Sequence, residues 1–193
     1  ESWTERFKMT FKHIPFAVDV SMLGGGLDDS SCADQAVGEC DVFLHWDTNP
    51  EKYNLREEIQ ERFTSANFTN QTGLTVWAPT SFIPHSEYMC ALAQCKFHVS
   101  TIGMPGKVDL VGTRYYEVLA SGKAILFAER EDGESILAYK KLDWVENREL
   151  VKFSSVEELI QRLAFFKRHP EETAKIASAA MLWAANKTWE SVA

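Results

Sequence analysis

Residues 109–126, DLVGTRYYEVLASGKAIL, decide the fold class of this chain. The polar, glycine-bearing turn Val111-Gly112-Thr113 runs into a stretch whose apolar residues Tyr115, Val118 and Leu119 fall at i, i+3 and i+4, the spacing of one helical face. Gly122 supplies a stop, and Ala124-Ile125-Leu126-Phe127 is a continuous apolar run suited to a strand buried on both faces. Loop, helix, turn and buried strand in that order predict an α/β architecture. A helix beginning at Gly112 and Thr113 offers unpaired backbone N–H groups and the positive end of its dipole to an anion, and glycine lets a ligand come close. Arg114 and Glu117 are three residues apart and share a face, which would set a cation near phosphates and a carboxylate near sugar hydroxyls.

Upstream, strands and helical stretches alternate. Phe16–Val20 alternates like a strand and leads into Leu23-Gly24-Gly25-Gly26-Leu27-Asp28-Asp29, which lacks both the dinucleotide-binding glycine spacing and the lysine of a phosphate loop and reads as a flexible turn. Residues 41–46 form a strand, with a turn at Asp47–Asn49, a cap at Asn49 and Pro50 opening a helix that runs to about Phe63, with Leu55, Ile59 and Phe63 on one face. Thr64–Gly73 reads as a polar loop, Leu74–Ala78 as a strand, His85–Cys95 as a helix capped by His85, and Lys96–Ser100 as a strand. Downstream, Glu129–Glu134 reads as a charged turn and Leu150–Phe153 as a short strand. Ser155 and Glu158 make a capping box before the stripe Val156, Leu159, Ile160, Leu163 and Phe166. His169-Pro170 then breaks the chain into a last helix from Glu171 to about Trp189, in which Trp183 and Trp189 read as packing residues.

The spacing Asp109, Gly112, Glu117, followed by Ala120, Ser121 and Gly122, resembles the acidic-x7-Glu signature of retaining GT-B glycosyltransferases, and Arg114 followed by Glu117 resembles the spore-maturation and capsule-type members. The run Tyr88, Leu92, Cys95-Lys96-Phe97, the set Tyr53, Leu55, Arg56 and the closing helices are similar to the same group. The resemblance implies a single doubly wound, Rossmann-like parallel sheet over residues 1–193, with C-terminal helices at 155–193, like the nucleotide-sugar half of a GT-B enzyme. It implies a donor site in which Gly112 and Thr113 cradle a diphosphate, Arg114 stabilises it as it departs, Glu117 holds the ribose and Asp109 the transferred sugar. Lys107 and Tyr115 join that set, with Arg114 and Asp109 as the catalytic pair. The expected partners are a nucleotide diphosphate sugar as donor, a glycan or other hydroxyl acceptor and a second Rossmann-like domain, with no cofactor and no metal.

Composition bounds the alternatives. The 193 residues carry a net charge of -8, which argues against nucleic acid or an anionic membrane as partner. No apolar run reaches membrane-span length, and the first residues lack the apolar core of a signal peptide. The missing initiator Met points to a mature product or a piece of a larger protein. Asp28 and Asp29 are adjacent, and the histidines show no metal spacing. Cys32, Cys40, Cys90 and Cys95 form no CxxC pair and read as free buried thiols of a cytoplasmic protein. Three sequons, at Asn67, Asn70 and Asn186, would matter only in the secretory pathway. Two other classes stay open beside the transferase, a nucleotide- or carbohydrate-binding module without turnover and a structural α/β domain.

Overall fold

The computed structural model describes residues 32, 40–44, 46, 53, 55–81, 83–102, 113–130 and 143–187. Outside these lie the expected strand at 16–20, the glycine-rich turn with Asp28 and Asp29, the cap at Asn49, the loop holding Lys107 and Asp109, Gly112 and Trp189. The elements are β1 (Val42–Phe43), α1 (Arg56–Phe63), α2 (Phe68–Thr72), β2 (Val76–Trp77), α3 (His85–Gln94), β3 (Phe97–Ser100), α4 (Thr113–Ser121), β4 (Ile125–Glu129), β5 (Val151–Phe153), α5 (Val156–Arg168) and α6 (Pro170–Ala185). The strands form one sheet in the order β2-β1-β3-β4-β5, and every pair is parallel.

Parallel strands need crossovers, and the crossover helices cover both faces of the sheet. Period-two alternation along β4 shows how. Leu126 and Ala128 enter one cluster with Tyr115, Val118, Leu119, Ala180 and Trp183, while Ile125 and Phe127 enter another with Ile59, Phe63, Leu159, Leu163 and Phe166. Every residue of β3 and β4 is buried, as the continuous apolar run at 124–127 requires. α6 crosses between the two layers, Ile176 lying in the second cluster and Ala180, Trp183 and Ala184 in the first.

Local signals fix the ends of the elements. Ser155 Oγ accepts the backbone N–H of Glu158 at 3.2 Å, whereas the Glu158 carboxylate reaches back to the N–H of Ser154 (2.9 Å), one residue earlier than a standard capping box. Pro170 opens α6, where its missing N–H costs nothing. Gly122 takes φ +64 directly after α4, the left-handed stop its position suggested.

Four expectations are corrected. The first helix starts at Arg56, and Tyr53 is not helical. The segment 64–73 is no loop throughout, because Phe68 buries itself against Phe63 at 4.4 Å between ring centroids and nucleates α2 around that anchor. Pro84, not His85, occupies the cap of α3, and His85 is exposed. The cysteines are not free thiols. Cys32 pairs with Cys90 and Cys40 with Cys95, in overlapping loops with sequence separations of 58 and 55. Cys90 and Cys95 point to different neighbours around α3, so the same spacing that keeps them from pairing with each other lets each reach the segment ahead of β1.

At the amino-terminal edge of the sheet, Asp41 is buried and gathers four donors: the N–H (3.0 Å) and hydroxyl (3.0 Å) of Thr75, Lys96 Nζ (3.3 Å) and Lys167 Nζ (2.6 Å). Burial opposes ionisation of this carboxyl, but Lys167 and Thr75 outweigh it and hold the pKa below the ordinary value. The network ties β1, β2 and α5 together at the edge away from the expected donor site. Among the described residues, no helix is long and apolar enough to cross a membrane.

Candidate functional site

In an open parallel sheet, ligands bind beyond the carboxyl ends of the strands, where the strand order reverses. Here the chain runs from β1 outward to β2 and then returns to the other side of β1 for β3, so the reversal lies between β1 and β3. Phe43 of β1 and His98 of β3 are register partners at that boundary, with their rings 5.2 Å apart. Just past the ends of these strands, two arginines from different helices converge.

Arg56, at the first position of α1, donates from Nε to the hydroxyl of Thr101, one residue beyond β3, at 2.7 Å. Its guanidinium lies 3.2 Å from the Tyr53 ring centroid and 5.6 Å from that of Trp46, so the plane is held by aromatic rings as well as by the hydroxyl. Arg114, in the first turn of α4, lies 5.9 Å from the Phe43 ring centroid and 5.7 Å from that of Tyr88. Burial lowers the Arg56 pKa, Tyr53 opposes that, and the like charge of Arg114 lowers it further. The two cations therefore sense one another across the switch point. Arg114 also acts on His98, whose imidazole is pushed down to about 3, first by complete burial and then by that cation. His98 is thus a neutral floor to the cluster and no acid or base near pH 7.

Glu117 shares the face of α4 with Arg114, as their spacing requires. Its Oε2 accepts the Tyr88 hydroxyl at 2.5 Å, and it is partly exposed. Burial first, and then the Glu117 charge, raise the Tyr88 phenol above its usual value, so Tyr88 stays a donor and aims the carboxylate. The Tyr115 ring is buried and stacked on Trp144 at 5.4 Å and 10°, on the side of the fold where Arg56 lies. Tyr115 thus belongs to the core by its ring and borders the arginine cluster. Thr113 opens α4, while Gly112, Lys107 and Asp109 lie outside the described residues.

The roles of three contributors escape the sequence pattern. Tyr88 stands there in the family-like run with Leu92 and Cys95, but nothing in the chain announces its partner Glu117, 29 residues away. Thr101 sits where the strand pattern ends and shows its role only through Arg56. Glu129, expected to begin a turn, is the last residue of β4; it is buried and its Oε2 accepts the Ile102 N–H at 3.0 Å, fastening the exit of β3 beside the site. An acid at the carboxyl end of a wholly apolar strand is the available signal.

The family model described as "Glycosyl transferase-like" matches residues 51–192. The chain belongs to the glycosyl transferase-like family. Among solved structures, this glycosyl transferase-like chain is similar to the HepE protein of Anabaena in complex with UDP-glucose, at 13% identity and a TM-score of 0.58, covering 89% of this chain and 51% of that one. It is also similar to a sucrose-phosphate synthase of Thermosynechococcus elongatus, at 12% identity and a TM-score of 0.63, covering 98% and 52%. At these identities the likeness is one of fold, and it matches one Rossmann-like half of GT-B glycosyltransferases. The chain spans about half the length of the structures it matches. A comparison with curated protein sequences gives no match.

Proposed function

We infer that this chain binds a nucleotide diphosphate sugar between β1 and β3 and serves transfer of its glycosyl group to a glycan or other hydroxyl acceptor. The observation that carries this reading is the convergence of Arg56 and Arg114 at the topological switch point. Holding two like charges together is unfavourable, and a dianionic diphosphate lowers that energy more than any neutral ligand does. When the glycosyl C–O bond breaks, charge accumulates on the departing diphosphate. Two fixed guanidiniums, together with the start of α4 at Thr113 and Gly112 just ahead of it in the sequence, are suited to stabilise it without a metal. In this reading Glu117, aimed by Tyr88, takes the ribose hydroxyls; the spacing of the sequence motif assigns Asp109 to the transferred sugar, with retention as the proposed outcome, and Lys107 and Tyr115 to the donor side.

The proposed base is uracil, because the HepE protein was solved with UDP-glucose. A second Rossmann-like domain, supplied by a longer chain or a partner, would present the acceptor, in keeping with coverage of about half of each matched structure. That coverage also favours a second reading, a donor-binding module without turnover, for which nucleotide would bind but no nucleoside diphosphate would be released. The cytoplasmic expectation leaned on free thiols, and with both cysteine pairs oxidised the support moves to an oxidising compartment.

The test is thermal unfolding with UDP, UDP-glucose, GDP, ADP and dTDP, on the native chain and on Glu117→Ala. Ligand at a hundredfold over its dissociation constant adds about 2.7 kcal/mol of stability, which for a chain of this size raises Tm by roughly 5–10 °C. A uridine-selective rise that weakens in Glu117→Ala is expected. No rise with any nucleotide sinks the reading.

A further inference from the structure

Three asparagines stand two residues ahead of a threonine with no intervening proline: Asn67-Phe68-Thr69, Asn70-Gln71-Thr72 and Asn186-Lys187-Thr188. They are half of the chain's six asparagines. Such a tripeptide becomes an acceptor of N-linked sugar only if its amide stays open to solvent and the chain enters the compartment where transfer occurs. The fold meets the first condition at each. Asn67, Asn70 and Asn186 are all exposed. Phe68 turns inward between the first two and stacks on Phe63, which leaves the flanking asparagines on the outer side of α2. Asn186 Nδ2 donates to the Leu182 carbonyl at 3.0 Å, and a glycosylated amide keeps one N–H for that bond.

The disulfides meet the second condition. Cys32–Cys90 and Cys40–Cys95 leave no free cysteine among those described, and paired structural cysteines persist in oxidising compartments and rarely in reducing ones. Disulfides and sequons are independent features, one geometric and one of sequence, and both name the same environment.

We propose that this chain folds in an oxidising secretory compartment and carries N-linked oligosaccharide on one of the Asn67/Asn70 pair and on Asn186. In the transfer, the asparagine amide nitrogen attacks the anomeric carbon of an oligosaccharide carried on a polyisoprenyl diphosphate. The C–N bond forms, the C–O bond to phosphate breaks, the amide proton passes to a base of the transferring enzyme, and the lipid diphosphate departs. Each disulfide forms by loss of two electrons and two protons from a thiol pair to a protein disulfide oxidant. Residues three apart on a helix stand about 5–6 Å from each other, room for one branched oligosaccharide and not two. The carbonyl of Gly73, which follows α2, accepts from Lys167, itself paired with Asp41 at the amino end of β1. The Asn67/Asn70 glycan therefore sits at the opposite sheet edge from Arg56 and Arg114.

The test is secretion of the full chain from cultured animal cells behind a cleavable leader, followed by peptide-N-glycosidase digestion and peptide mass mapping. Two glycans are expected, seen as two steps of mobility and as Asn-to-Asp conversion at one of Asn67 or Asn70 and at Asn186. The double variant Asn67→Gln, Asn70→Gln removes one step and Asn186→Gln the other. A secreted chain with both disulfides formed and no sugar at any of the three positions overturns the modification. Separately, chain kept reduced should melt well below oxidised chain, and equal melting temperatures overturn the assignment to an oxidising compartment.

Discussion

Tyr88→Phe tests the interaction on which the ribose assignment depends. The substitution keeps the ring against Phe43 and deletes the hydroxyl, which donates to Glu117 at 2.5 Å and also interacts with Arg114. A hydrogen bond to a charged acceptor contributes about 1.5–3 kcal/mol, but Glu117 is partly exposed and water can replace the lost donor, so about 1–2 kcal/mol of stability is the expected loss. For a chain of this size that lowers Tm by roughly 2–8 °C. The carboxylate then regains side-chain rotamers, and fixing them again on binding costs about 1 kcal/mol, near fivefold in Kd. The assay is calorimetric titration with UDP and with its 2′-deoxy analogue. The native chain should prefer UDP, Tyr88→Phe should narrow the preference, and Glu117→Ala should abolish it. Equal affinity of the native chain for the two nucleotides, or an unchanged preference in Tyr88→Phe despite the lower Tm, would refute a sugar-gripping role for Glu117.

Arg56→Lys keeps the charge but loses the planar stacking on Tyr53 and the fixed donation to Thr101; UDP affinity should fall about five- to tenfold, near 1–1.4 kcal/mol, and a native affinity measured by calorimetry would remove Arg56 from the site. Asp41→Asn should cost about 2–3 kcal/mol near neutral pH, below the range for a fully buried pair because the partner lysines remain partly hydrated. Since the folded pKa of Asp41 is depressed, its contribution is complete above the unfolded carboxyl value and is lost as pH falls through the folded one. The gap in urea unfolding between the native chain and the Asp41→Asn variant should therefore close on acidification, and a gap independent of pH would contradict the assignment. Gly122→Ala places a Cβ 2.7 Å from Met181 Sδ in a left-handed backbone; the methionine can yield, so the conformational cost of about 1–2 kcal/mol dominates. An unchanged Tm would show that the turn after α4 relaxes.

What the sequence made legible follows a physical divide. Periodicity within one segment reports burial, and so the apolar run at 124–127, the stripe from Val156 to Phe166 and the face of Tyr115, Val118 and Leu119 all stand out without coordinates. Arg114 and Glu117 are likewise readable as a pair, because a helix fixes their shared face through spacing alone. Contacts between segments leave no such trace. Tyr88 reaches Glu117 because the helices that precede and follow β3 in the chain pack together, and Arg56 reaches Thr101 and Cys40 reaches Cys95 because β1 and β3 are neighbours in a sheet whose order departs from chain order. The polar stretch at 64–73 misleads for a related reason: its small and polar residues favour a loop by composition, and Phe68 decides otherwise through an aromatic partner upstream, Phe63. Local chemistry thus locates the helix that presents Arg114 and Glu117 together. The strand order supplies the second arginine, and a single guanidinium on a helix is an ordinary surface feature until another comes near enough for their charges to interact.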